Sequence, residues 1–185
     1  MQTSAEIWRL LVRASADRRH PWRVVALCTQ GEQGPAARSV ILRKVQEDNR
    51  RLVFYTDRRT DKLREVAACD RVALLCWDAH HRQQLRLTGR AFLETDMAVV
   101  DRCWTGVPDA AKRDYGTTQA PGSPLITKDA AGADFTLALA REHFTVLNVE
   151  VAEFEFLQLD REQHQRWRHS WREAAGAWEA QPLVP

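Results

Sequence analysis

The period of the apolar residues changes after the first twenty positions. Behind Thr3-Ser-Ala-Glu6, which has the spacing of a capping box, Ile7, Leu10, Leu11 and Ala14 recur at helical intervals. They predict an amphipathic helix that ends between Asp17 and Pro21. From Trp22 the alternation is two-fold. Trp22 to Thr29 and Ala36 to Val45 read as the strands of a hairpin around the turn Gln30 to Pro35, and Arg51 to Thr56 as a third strand after the polar turn Glu47 to Arg50. Helical spacing returns in Thr60 to Cys69 through Leu63, Val66 and Ala67. Val72 to Trp77 and Arg82 to Leu93 make a second hairpin about Asp78 to His81. Five strands with one short helix among them predict a mainly antiparallel, closed sheet with peripheral helices.

The second half of the chain is less regular. Thr95 to Trp104 is a helix candidate through Met97, Val99, Val100 and Cys103. Gly116 to Asp134 has no period and is rich in Gly, Pro, Ala, Ser and Thr, the composition of a long functional or mobile loop. Phe135 to Glu142 reads as helix. Phe144 to Leu159 reads as one long strand whose alternation slips near Ala152, as a bulge would make it. His164 to Pro185 reads as a closing hairpin around Ala174-Ala-Gly176. Neither a repeat nor a linker divides the chain, so one domain spanning residues 1–185 is expected.

Composition narrows the class without naming it. In 185 residues, 44% hydrophobic and 28% charged content is that of a globular chain, and a net charge of +2 gives no electrostatic reason to expect nucleic acid. No stretch approaches a membrane span, and no charged leader precedes an apolar run. Cys28, Cys69, Cys76 and Cys103 have no metal-binding spacing and read as reduced thiols, so a cytoplasmic protein without membrane or nucleic-acid partners is expected. His80-His81 lacks a second cluster of ligands, and no metal site is expected. G-x-S-x-G, H-E-x-x-H, P-loop and G-x-G-x-x-G motifs do not occur.

Polar residues at inward positions carry the chemical signal. Alternation places Ser39, Ile41 and Arg43 on one face of their strand and Arg38, Val40 and Leu42 on the other, so both faces mix arginine with apolar side chains. A guanidinium there needs an anion, a carboxylate partner or a strand end that reaches solvent. Thr60-Asp-Lys62 opens a helix, where free N–H groups beside Lys62 suit a phosphate. An ordinary capped surface helix is the alternative. Gln83 shares the parity of Leu85 and Leu87, and a glutamine on an apolar face needs either a ligand edge or a partner inside the barrel.

Taken in order, Ala37-Arg-Ser-Val-Ile-Leu-Arg43, Val53-Phe-Tyr-Thr56, Thr60-Asp-Lys62 and Arg82-Gln83 before Leu87-Thr-Gly89 resemble the FMN-binding split-barrel flavoproteins related to pyridoxamine 5'-phosphate oxidase. The resemblance continues through Tyr115-Gly, Gln119-Ala-Pro-Gly-Ser-Pro124 and His164-Gln-Arg166, and the loop from Gln119 is similar to that of a cyanobacterial-type branch. It implies a split β-barrel and FMN as cofactor. Arg38 and Lys62 would contact the phosphate, with Thr60 helping. Ser39, Val40, Ile41, Leu42 and Arg43, with Tyr55 and Thr56, would line the ribityl chain and ring. Gln83 would bond the ring edge, Arg166 would reach the flavin from the last hairpin, and Gln119 would join from the long loop. It further implies a homodimer with FMN at the subunit interface, and hydride transfer between a small-molecule substrate and flavin N5.

Departures from the family pattern bear on the substrate. The lysine, tyrosine, arginine and serine that hold a vitamin B6 phosphate in the family align with Arg43, Cys103, Val107 and Ala111, and an Arg-x-His pair appears as Glu162-Gln-His164. A family arginine aligns with Asp61, and a tryptophan near the flavin with Phe156. The resemblance thus implies an oxidoreductase whose substrate is not the classical B6 phosphate, with His164 as the candidate to orient it or move a proton. A flavin carrier or sensor without turnover and a haem-binding relative remain open.

Overall fold

The computed structural model describes residues 3–124, 135–161 and 163–185. Its first element is helix α1 (Ser4–Ala16), started by the capping box: Thr3 and Glu6 satisfy each other's backbone N–H groups. The helix buries Ile7, Trp8, Leu11 and Ala14. Next, Pro21–Arg23 form a single tight turn with Trp22 buried. Strand β1 (Val24–Gly31) therefore begins two residues later than the alternation suggests, because proline at 21 fixes a turn before it.

β1 turns into β2 (Gly34–Gln46) at Glu32-Gln33, with Gly34 at φ 126°. β3 (Arg51–Asp57) follows a turn closed by Arg50 in the left-handed region, and α2 (Asp61–Ala68), β4 (Arg71–Asp78) and β5 (Gln83–Leu93) come next. Helix α3 (Met97–Thr105) is capped by the Asp96 carboxylate. A short helix that the pattern does not announce, α4 (Asp109–Lys112), precedes the irregular segment from Gly116; α5 (Leu137–His143) then leads into β6 (Phe144–Gln158). Strands β7 (Gln165–Arg172) and β8 (Ala177–Leu183) form the closing hairpin, with Gly176 at φ 58°. Part of the expected long loop, residues 125–134, lies outside the described residues.

The sheet runs β3-β2-β1-β4-β5-β6-β7-β8, and β3 also pairs with β6. Six antiparallel strands thus close into a split barrel, and the β7–β8 hairpin extends it from β6. Neighbours β1 and β4 pair over only Ala26–Cys28. Register slips between Thr88 and Gly89 where Ala152 is left over, so the expected bulge in β6 is real. Gly89 is required there, since a Cβ would collide with the Glu150 carbonyl. Strand alternation fills the barrel with Val25, Leu27, Val40, Leu42, Phe54, Leu74, Leu85 and Leu87, closed by Trp8 and Leu11 of α1. A second cluster outside the barrel joins Val53, Val146 and Phe144 to Val100, Val107, Tyr115 and Ala140.

Candidate functional site

At the barrel end that carries the β1–β2 turn, α2 brings its first residues against β2 and β3. Lys62 donates to the Thr56 and Thr60 hydroxyls at 2.9 and 3.0 Å. The Thr60 hydroxyl does not cap the helix; it donates to the Asp57 carbonyl. Among the described residues no carboxylate pairs with Lys62, and Asp57, Glu65 and Asp61 act on it only at longer range. Burial, and then the Arg38 guanidinium, hold its pKa below the ordinary lysine value. Arg38 itself is held by Glu65 at 2.6 Å and by the Thr29 hydroxyl. Two cations and three hydroxyls thus gather here, with Glu65 paired to Arg38.

Arg43, on the opposite face of β2, stacks over Tyr55 at 5.5 Å. Burial and a hydrogen bond with Cys103 push the Tyr55 hydroxyl's pKa up. Cys103, Trp104 and Ala111 pack against the outer cluster in which Val107 and Tyr115 are buried. The segment that carries Gln119 is anchored nearby: Arg59 forks onto Asp57 at 3.0 and 2.7 Å and donates to the Thr117 carbonyl at 2.8 Å. The Thr117 hydroxyl in turn donates to the Gln119 carbonyl.

The remaining expected residues sit at the other end of the barrel, beyond the β4–β5 turn. Gln83 donates to Gln158 at 2.8 Å, and Gln158 to the His81 carbonyl, so this inward glutamine finds its partners within the chain. Arg166 lies on the outer face and donates to Glu155 through Nε and Nη2 at 2.9 and 2.5 Å. Glu155 is buried and also pairs with Arg86 and Arg168. His164 is exposed, and its Nδ1 accepts from the Asp160 N–H at 3.2 Å.

A family model described as the FMN-binding domain of pyridoxamine 5'-phosphate oxidase matches residues 5–95. Residues 5–95, from α1 to just beyond β5, are thus similar to an FMN-binding domain of that type. A pyridoxine/pyridoxamine 5'-phosphate oxidase of Thermosynechococcus vestitus is 44% identical over 66 residues, 35% of this chain and 30% of that relative. The one from Kineococcus radiotolerans is 43% identical over 60 residues, 32% of this chain and 26% of that relative. The matches therefore span about a third of the curated relatives' length. Among solved structures, a pyridoxamine 5'-phosphate oxidase-related, FMN-binding protein of Nostoc punctiforme is similar at TM-score 0.78 and 22% identity, covering 100% of both chains. PhzG of Burkholderia lata, solved with tetrahydrophenazine-1-carboxylic acid, is similar at TM-score 0.77 and 21% identity, covering 98% of this chain and 91% of that one. At these identities the two structures establish the fold.

The donor set at the α2 end fits an FMN phosphate, because Lys62 has hydroxyl partners and, among the described residues, no paired carboxylate. Of the expected β2 residues, Val40 and Leu42 point into the barrel core, so only their main chain can touch a flavin, whereas Ser39, Ile41 and Arg43 face outward. Phe156 is a barrel-core side chain packed against Trp22. Leu157 takes the outer-face place, in register with Gln84 on one side and Arg166 on the other. Gln84 is a residue the sequence reading passed over. Its signal was present in the even spacing of Gln84, Arg86, Thr88 and Arg90, the face opposite the barrel core. Arg59 was also missed, since nothing local reveals that it reaches the loop at Thr117.

Proposed function

We propose that this protein is an FMN-dependent oxidoreductase acting on a small substrate other than the classical B6 phosphate. The observation that carries the binding mode is Lys62, half-buried beside Arg38 with only hydroxyls for partners. Arg38, Lys62, Thr60 and Thr56 hold the phosphate; the main chain of residues 38–43, with Tyr55, follows the ribityl chain. When bound, FMN supplies hydride chemistry at N5. Arg166, with Gln83 or its outward neighbour Gln84, meets the ring edge.

The phosphate group and the ring-edge group lie at opposite ends of one barrel, an arrangement that a second copy of the chain resolves by supplying one end of each site. A contiguous apolar patch supports the homodimer: Val24, Leu75 and Trp77 stand on the outer sheet face at 50%, 38% and 45% exposure, too much apolar surface in one place for an idle face. His164 would be enclosed by that association. With Nδ1 accepting from Asp160, its neutral ring carries the proton on Nε2, which donates to substrate.

Arg43 stands over Tyr55 at the substrate region, and Lys112, over Trp104, is already paired with Asp109. Cys103, Val107 and Ala111 around Arg43 pack into an apolar cluster, which favours a neutral or singly charged substrate over a phosphate dianion. We read residues 1–185 as one domain and the setting as cytoplasmic, in keeping with four free thiols. Among the described residues no helix is long and apolar enough to cross a membrane. The test is anaerobic stopped-flow mixing of the FMN-loaded protein with NADH, NADPH or pyridoxamine 5'-phosphate. Bleaching by a nicotinamide donor in preference to pyridoxamine 5'-phosphate is expected. A flavin that no donor bleaches would leave a carrier or sensor in place of an oxidoreductase.

A further inference from the structure

A cavity of about 340 Å³ opens between the C-terminal turn of α1, the Pro21–Arg23 turn and the β4–β5 turn, away from the Lys62 cluster. Its walls are Leu10, Pro21 and Gln83, with the buried Trp22 indole behind them. Two histidines line it in opposite hydrogen-bonding states. His20 Nδ1 accepts from the Trp22 N–H at 3.1 Å, so the neutral ring carries its proton on Nε2. His81 Nδ1 lies 2.7 Å from an Asp78 oxygen, which can only accept, so in the neutral ring His81 Nε2 is left as an acceptor.

Charges in the cavity are separated. Asp78 is buried and committed to His81 and to the N–H groups of His80 and His81, while Asp17 accepts from the Arg19 N–H. Arg13 and Arg19 stand exposed at the mouth, and among the described residues neither pairs with a carboxylate. Two guanidiniums and the His20 N–H are therefore open donors, Nε2 of the neutral His81 ring is an open acceptor, and the apolar Leu10 and Pro21 lie alongside.

We propose that this cavity is a second ligand site, for a small aromatic carboxylate that also carries a hydroxyl. The carboxylate meets Arg13, Arg19 and His20, the ring lies along Leu10 and Pro21, and the hydroxyl donates to His81. The volume admits a one-ring acid and is at the lower end of the range for organic-ligand pockets.

Isothermal titration of the flavin-containing protein with 4-hydroxybenzoate, benzoate and 4-hydroxybenzyl alcohol tests this. One site per chain is expected for 4-hydroxybenzoate, with benzoate weaker by about tenfold for the lost hydrogen bond and no heat from the alcohol. The double variant Arg13→Ala, Arg19→Ala is expected to lose at least about tenfold, and His81→Ala to erase the preference for 4-hydroxybenzoate over benzoate. Arg13 and Arg19 are exposed, so their double variant should melt at the wild-type temperature, whereas His81→Ala also takes a partner from buried Asp78 and is titrated well below its own melting temperature. No heat from wild type at millimolar acid overturns the proposal, as do variants that titrate like wild type. An Arg166→Ala variant that abolishes binding also overturns it, by placing the acid on the outer sheet face.

Discussion

Replacing Lys62 by methionine should weaken FMN and strengthen the flavin-free fold, two effects of opposite sign from one side chain. In the free protein the ammonium is half-buried, with hydroxyl partners at 2.9 and 3.0 Å and Arg38 as a like charge nearby. A phosphate within ~4 Å of it gains ~4 kcal/mol per unit charge at an effective dielectric constant of ~20. Desolvation takes back part, and charge-assisted hydrogen bonds contribute ~1.5–3 kcal/mol net. The expected loss is therefore roughly 10- to 150-fold in FMN affinity.

Riboflavin has the same ring and no phosphate, so its affinity should change by less than about twofold in Lys62→Met. Quenching of flavin fluorescence on titration with apoprotein gives both constants. The free protein should melt higher, because an uncompensated cation is removed. The pH dependence follows from the lowered pKa: between that value and 10.5 the native state releases the proton before the unfolded chain does. Apoprotein stability should rise with pH through that window, and FMN affinity should fall. Equal losses for FMN and riboflavin, or an FMN loss below about threefold, would refute the placement of the phosphate at Lys62.

Glu65→Ala should cost the flavin-free protein about 1–3 kcal/mol in urea denaturation, because Arg38 loses its 2.6 Å partner while facing Lys62, and saturating FMN should recover most of the loss. Gly89→Ala should cost at least about 2–4 kcal/mol or abolish soluble expression, since the new methyl meets the Glu150 carbonyl at the bulge; a shift under about 1 kcal/mol would contradict the register. Burial and Arg13 lower the His20 pKa, so its contribution to stability is full above pH 6.5 and lost as pH falls from there through the lowered value. Melting curves of His20→Asn should lack that acid-side loss. Leu75→Glu with Trp77→Glu should give a monomer in sedimentation velocity, with the Tm of the barrel little changed; a dimer that persists would move the interface elsewhere.

Local pattern was enough for most of the barrel. Alternation in β2 separated Arg38, Val40 and Leu42 from Ser39, Ile41 and Arg43 correctly, and the slip at Ala152 marked the bulge before any partner strand was known. Strand parity is a property of successive residues, so the chain alone can display it. The same parity bears on two adjacent pairs. Phe156 and Leu157, like Gln83 and Gln84, are adjacent residues, and a shift of one position in a resemblance moves a side chain from the outer face to the core.

The chain by itself determined the element order, the faces of the strands and the residue types that suit a phosphorylated flavin. Tertiary structure decided what each polar group meets. Glu65, 27 residues from Arg38, takes its guanidinium, and Arg59 reaches 58 residues on to Thr117. The split of the expected site between two barrel ends is likewise a matter of closure, because the β3–β6 pairing fixes which strand ends come together. Lys62 is where the two meet: its place at a helix start is written in the sequence, and its pairing with the Thr56 and Thr60 hydroxyls becomes visible only when β3 and α2 are packed together.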